Sequence, residues 1–233
     1  MRKLLLLLVF TAISNLSAQN SQMFFSEALD AHLPSYLLQA EEAIRNLEQD
    51  KVKVLFDNLV EDKLVGSLMN NFKVKTTSKK SKSLADYNKP VMLLTYSSWR
   101  ISSKGEQAAL NELANQYGDD VAIVLLFWGD VKQVKKLSKD YDRNIDILYV
   151  DDSENNYSLV IKNLKHSLGL PLAYTITSDK EIIDIKRRLS NKLSQDEALS
   201  IAQRNKKSRI MKAKGKQIAR KRALAMKKKA NPE

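Results

Sequence analysis

The sequence predicts an α/β domain in which helices cover both faces of a central mixed sheet. Three observations predict it. Short, mostly apolar runs stand at Val91–Tyr96, Val121–Trp128 and Ile145–Val150, with the length and composition of buried strands. Amphipathic stretches, with apolar residues three and four apart, separate those runs. Two further apolar runs, Leu172–Thr177 and Glu181–Ile185, are divided only by Ser178-Asp179-Lys180, which is the spacing of a hairpin.

Arg2 and Lys3 precede an apolar stretch from Leu4 to Ile13, and small and polar residues follow it. That order is the pattern of a secretory signal peptide, with cleavage expected near Ala18. The stretch is too short for a bilayer span, and no other segment has the ~18 uninterrupted apolar residues a span requires. Gln22 to about Lys51 reads as helical, with Pro34-Ser35 as its start and Tyr36, Leu37, Ala40, Ile44 and Leu47 as its apolar stripe. Leu55–Leu68 is a second helical or mixed stretch ending near Gly66. The Lys-, Ser- and Thr-rich Lys73–Ser83 reads as a solvated loop flanking a short strand at Phe72–Thr76.

Past Lys89 the alternation of strand and helix begins. Lys104–Tyr117 is helical, with Ala108, Leu110, Leu113, Ala114 and Tyr117 expected inward. Val131, Val134 and Leu137 mark another helix, and Leu159, Ile161, Leu164 and Leu168 one that ends near Gly169. Ser194 with Glu197 three residues on forms a capping box for a closing helix.

Charge divides the chain unevenly. The net +12 of the whole sequence lies in residues 204–233, which hold 13 Lys/Arg and one acid. The body between Ala18 and that tail has 24 Lys/Arg against 26 acids. The tail interleaves its cations with Ile210, Met211, Ile218, Leu224 and Met226 and has no aromatic residue on which a base could stack. In an exported chain the fitting polyanion is a lipid headgroup surface or an acidic envelope polymer, and nucleic acid is disfavoured.

Cysteine is absent from all 233 residues. The chain therefore has no disulfide, no thiol nucleophile and no cysteine to carry a lipid.

Local residues add a resemblance to this order of elements. Lys89-Pro90-Val91-Met92-Leu93-Leu94-Thr95-Tyr96-Ser97-Ser98-Trp99 resembles the strand that enters the active site of TlpA/ResA-like thiol–disulfide oxidoreductases of the thioredoxin superfamily. Ala109-Leu110-Asn111-Glu112-Leu113-Ala114 is similar to the helix that follows. Gly169-Leu170-Pro171-Leu172 is similar to the family's Gly-x-Pro segment, whose proline is cis beside the active site, and Ser178–Ile183 to the turn and strand after it. The resemblance covers roughly residues 72–189. It implies a thioredoxin-like fold over 71–203, preceded by a helical segment at 19–70 and followed by the basic tail at 204–233.

The resemblance also shows what is missing. The family's two cysteines align with Arg100 and Ser103. In the active enzymes the first thiolate attacks a substrate disulfide and the second resolves the mixed disulfide. Neither arginine nor serine can take those roles. A proline common in the family's active-site helix is replaced near Ala108.

Other chemistries have little footing. His32 and His166 are the only histidines and make no triad with Ser102 or Ser103. Asp151, Asp152 and Glu154 form an acidic cluster that reads as a solvated helix start before it reads as a cation site. No glycine-rich phosphate loop is present, no cofactor is implied, and Phe127-Trp128 reads as core packing. The expectation is a non-catalytic module in the periplasm of a Gram-negative bacterium. It would hold an extended protein or peptide through Trp99, Arg100, Ser103, Leu170 and Pro171. The alternatives are a redoxin acting only with a partner's thiols, a new hydrolase, or an envelope structural protein working through its tail.

Overall fold

The computed structural model describes residues 22–98, 104–151, 158–187 and the single residue 215. Helix α1 spans Phe25–Arg45 and α2 spans Gln49–Asn58, running on into a π-helical turn at Leu59–Leu64. Strands β1 (Lys73–Thr76) and β2 (Ser81–Ser83) form a hairpin. The alternating part then follows: β3 (Val91–Ser97), α3 (Lys104–Tyr117), β4 (Ala122–Trp128), α4 (Val131–Ser138), β5 (Ile145–Val150) and α5 (Leu159–His166). It closes on the antiparallel pair β6 (Leu172–Ile176) and β7 (Ile182–Arg187).

The seven strands make one mixed sheet in the order β2-β1-β5-β4-β3-β6-β7. β3, β4 and β5 are parallel neighbours, whereas β1 joins β5, and β6 joins β3, antiparallel. The central position of β3 and β4 explains their composition. Every residue of β4 is buried, because both faces of the strand are covered.

Side chains alternate between two cores, as strand geometry demands. Val91 and Leu93 of β3, and Val124, Leu126 and Trp128 of β4, point into one core. Its other wall is built from α1, α2, the π-helical turn and α5, through Phe25, Leu29, Phe56, Leu64, Ile161 and Leu164. Met92, Leu94, Ile123, Leu125 and Phe127 point into the opposite core, under Leu110, Leu113 and Ala114 of α3 and Val134 of α4. The N-terminal helices are thus a full layer of the fold. Phe25 meets Tyr174 of β6 edge-on, with centroids 5.9 Å apart. The Arg187 guanidinium at the end of β7 lies 4.0 Å over the Phe56 ring and donates to the Tyr36 hydroxyl at 3.0 Å.

Four local expectations are corrected. Helix α1 starts at Phe25, not at Pro34-Ser35, and Pro34 lies exposed within it. Its first N–H groups find partners elsewhere in the chain: Phe25 N donates to Leu68 O at 2.8 Å and Ser26 N to Asn70 Oδ1 at 2.9 Å. Proline on the solvent side leaves the Asp30 carbonyl to water, which a helix tolerates better there than on its packed side.

The single helix expected to reach Lys51 is instead two. Glu48 N donates to Ala43 O (2.8 Å) and Leu47 N to Ile44 O (3.0 Å), the paired bonds of a Schellman stop, with Leu47 at φ 60°. The expected stripe splits with it. Tyr36 and Ala40 are buried, but Leu37, Ile44 and Leu47 are 50, 60 and 85% exposed.

In α3, Leu110, Leu113, Ala114 and Tyr117 face inward as expected, but nearer the helix start Ala109 is buried in place of the expected Ala108, which is exposed. The expected loop at Lys73–Ser83 folds back as β1–β2, with Lys73 opposite Ser83 and Lys75 opposite Ser81. An edge strand made of Ser and Lys carries no apolar alternation, so only the pairing reveals it. The capping box at Ser194–Glu197 lies outside the described residues.

Candidate functional site

The site is built where β3, β4 and β6 end together. Ser98, the residue after β3, is buried at 3% exposure. Its N–H donates to Trp128 O at 2.8 Å, and its hydroxyl donates to Gln133 Oε1 at 3.0 Å. Gln133 is placed by the cap of its own helix. Asp130 Oδ1 accepts from Lys132 N (2.7 Å) and Gln133 N (3.1 Å), fixing the first turn of α4. Between Trp128 and that cap, Gly129 is at φ +143°, and a Cβ there would stand 1.8 Å from Ser98 Oγ. Only glycine fits, by conformation and by space.

On the other side of the sheet end, Tyr96 stacks on Phe127 at 5.5 Å and donates its hydroxyl to Glu106 Oε1 at 2.7 Å. That bond ties the first turn of α3 to β3. Residues 99–103 are therefore bracketed by two fixed points, Ser98 and the Tyr96–Glu106 pair.

The third wall comes from the segment before β6. The Leu170–Pro171 peptide bond is cis, as the resemblance implies. The next residue, Leu172, is held by a buried hydroxyl: Leu172 N donates to Thr95 Oγ1 at 3.1 Å, and Thr95 Oγ1 donates to Leu172 O at 3.3 Å. The β3–β6 ladder has its last pair at Thr95↔Leu172. Continuing that register sets Pro171 beside Tyr96 and Leu170 beside Ser97, at the end of β3 that leads to Trp99. Both Leu170 and Pro171 are half-buried.

Of the five residues expected in the site, Leu170 and Pro171 therefore stand at the sheet end. Trp99, Arg100 and Ser103 lie outside the described residues. Sequence reading missed Thr95, Ser98, Gly129 and Gln133, which build the frame. One signal was available, since Gly129-Asp130 directly after a strand and before an apolar periodicity is a helix start with its cap.

The frame holds hydrogen bonds between neutral groups and two carboxylates, those of Glu106 and Asp130. Among the described residues, Trp128 Nε1 and the Tyr174 hydroxyl are buried without a partner. Burial pushes the Tyr174 hydroxyl well above the usual tyrosine range. Among the described residues no three His, Cys, Asp or Glu side chains cluster as metal ligands. Asp152 and Glu154, two of the three acids weighed as a cation site, lie outside them. His32 is on α1, and His166 ends α5 exposed to solvent.

The opposite end of the sheet has an open groove of about 560 Å³ between the β1–β2 hairpin and the segment before β5. The 2.7 Å ion pair of Lys82 with Asp146 crosses it. Beside it Tyr87 is buried, and desolvation, followed by the Asp146 charge, pushes its hydroxyl well above the tyrosine range. Lys180 donates to Tyr87 O at 2.5 Å and to Ser178 O at 3.0 Å. Burial lowers its pKa.

Sheet order, the closing hairpin and the proline segment beside the β3 end define a thioredoxin-like fold, and the chain has no cysteine. No family model matches the chain, and no curated protein matches it. Among solved structures it is similar to a secreted Mycobacterium tuberculosis disulfide oxidoreductase homologous to E. coli DsbE. The identity is 19%, the match covers 56% of this chain and 93% of that one, and the TM-score is 0.44. It is similar also to the thioredoxin domain of a Bacteroides vulgatus thiol-disulfide oxidoreductase, at 15% identity, covering 60% and 96% of the two chains with a TM-score of 0.46. A third likeness is to the exposed lipoprotein thioredoxin of Streptococcus pneumoniae, at 20% identity, covering 58% and 99% with a TM-score of 0.41. Among the described residues no helix is long and apolar enough to cross a membrane.

Proposed function

We infer that this chain is a non-catalytic thioredoxin-like module that binds an extended segment of another protein at the end of β3. The observation that carries the reading is the frame itself. Thr95 grips Leu172, and the β3–β6 ladder stops there, so Leu170 and Pro171 stand one step past the last rung. An extended chain can add to a sheet at such a place through main-chain bonds, with no thiol required. Trp99, Arg100 and Ser103 would supply the facing side chains. The N-terminal pattern at residues 2–18 supports export, and with it a place in the periplasm. The tail's 13 cations support an anionic surface, a lipid or an envelope polymer, as a second contact.

The chemistry and the binding are tested separately. Insulin reduction by dithiothreitol is expected to run at its protein-free rate when the pure chain is added. Acceleration would mean that the chain promotes thiol exchange by a route that needs no cysteine of its own. Extended peptides are expected to bind the wild type, and Leu170→Asp, checked for an unchanged melting temperature, to lose most of that affinity. Equal binding by the folded variant places the contact elsewhere.

A further inference from the structure

Helix α1 carries more apolar surface than its own core uses. Leu33, Leu37, Ala40, Ile44 and Leu47 recur at intervals of four and three, the spacing of a helix-pairing seam. Ala40 and part of Leu33 reach the core. Leu37, Ile44 and Leu47 face solvent, and Val54, across the turn on α2, is 55% exposed. Leu47 sharpens the point. It is the most exposed of these residues and sits at φ 60°, where glycine is the low-cost choice. A leucine there adds nothing to the fold that glycine would not, so its apolar side chain points to a contact beyond the described core.

The segment that carries this face has a net negative charge. Residues 22–66 carry nine acidic side chains against four basic ones, while residues 204–233 carry 13 basic against one acidic. The tail also carries apolar side chains that can meet such a face: Ile210, Met211, Ile218, Leu224 and Met226. The chain is delivered to the same layer, because Arg187 binds Tyr36 and Phe56 where the last strand ends. Sixteen residues then lead to Arg204. Sixteen residues can reach at most about 55 Å when extended, while Tyr36 to Leu47 along α1 is about 16 Å. A tethered partner within such reach acts at an effective concentration on the order of millimolar.

We propose that residues 204–233 dock onto the exposed Leu37–Ile44–Leu47–Val54 face of α1 and α2 in the same chain. The inference does not depend on the peptide-binding reading, since it concerns another face. It makes the basic tail an internal ligand that an external polyanion must displace.

The absence of native cysteine makes the test clean. Full-length protein carrying Glu41→Cys and Lys214→Cys is treated with a short bismaleimide. A second protein carries Lys132→Cys, on α4 across the sheet, with Lys214→Cys. Intramolecular crosslinking is expected to be several-fold higher for the first pair. It should fall as salt rises from roughly 0.05 to 1 M, and fall to the control level when Leu37→Asp and Ile44→Asp are added. Both of those positions are exposed, so the fold is retained. Equal yields from the two pairs, or a yield that the aspartates leave unchanged, overturn the proposal. Crosslinked dimers whose yield grows with protein concentration overturn it in favour of a second copy on this face.

Discussion

The two faces of the sheet are covered in different ways. On one, α3 and α4 are short helices whose apolar residues go inward and whose outer surfaces are polar. On the other, α1 and α2 bury Phe25, Leu29, Phe56 and Leu64 and still present leucines, an isoleucine and a valine to solvent. One layer is finished by folding. The other is finished on its inner side, and its outer apolar stripe stays half to mostly exposed.

The contrast can be broken most forcefully from inside. Phe25→Ala removes an aromatic side chain that is 1% exposed and leaves a cavity against Tyr174, and we expect a loss of about 3–5 kcal/mol in urea unfolding. Leu37→Ser, on the same helix but exposed, should change stability by about 0.5 kcal/mol or less. Similar losses for both would mean that the stripe is buried in solution.

Gly129→Ala tests the site frame instead. It forces a Cβ into Ser98 Oγ at a positive φ, and a cost of about 2–4 kcal/mol is expected. Ser98→Gly in the same chain should recover only the steric part.

Tyr174→Phe deletes a buried hydroxyl that has no partner, so it should be neutral or stabilising by about 1 kcal/mol. It should also alter the alkaline limb. The folded phenol is raised by burial, so the folded chain keeps a proton that the unfolded chain loses near pH ~10. Stability is fully present below that pH and falls above it, less steeply in the phenylalanine variant as read by melting temperature against pH.

The smallest effect is expected at Leu47→Gly. Relief of the left-handed backbone favours the variant by up to about 1 kcal/mol, reduced by glycine's greater freedom when unfolded.

The alternating half of the chain was legible because its strands are apolar on both faces. Ile145–Val150 is read to the residue, and Val91, Ala122 and Leu172 differ from the expected strand limits by at most one position. The N-terminal half was harder for physical reasons. The start of α1 leans on Leu68 and Asn70, more than 40 residues away, and its one local mark, the Glu27 carboxylate that accepts from Phe24 N at 2.8 Å, follows an apolar N-cap residue. The apolar period of α1 is real, but period alone does not say which of two stripes meets the sheet. At the sheet end, the resemblance pointed to the cis proline segment Leu170-Pro171. The hydroxyls of Thr95 and Ser98 were invisible because serine and threonine reveal their partners only in three dimensions.

The pairing of Arg187 with Leu172 sets a load path. Arg187 is the last residue of β7, and its neighbour across the ladder is Leu172, the residue that Thr95 holds beside Pro171. A pull on the basic tail, with the body held by a partner, therefore opens the β6–β7 hairpin from its free end like a zipper. The first rung to feel the tension is the one beside the Leu170–Pro171 segment. The Arg187 contacts with Tyr36 and Phe56 act as a latch ahead of that rung, so a tethered molecule keeps its site intact until the latch gives way, and then loses it before the rest of the sheet opens.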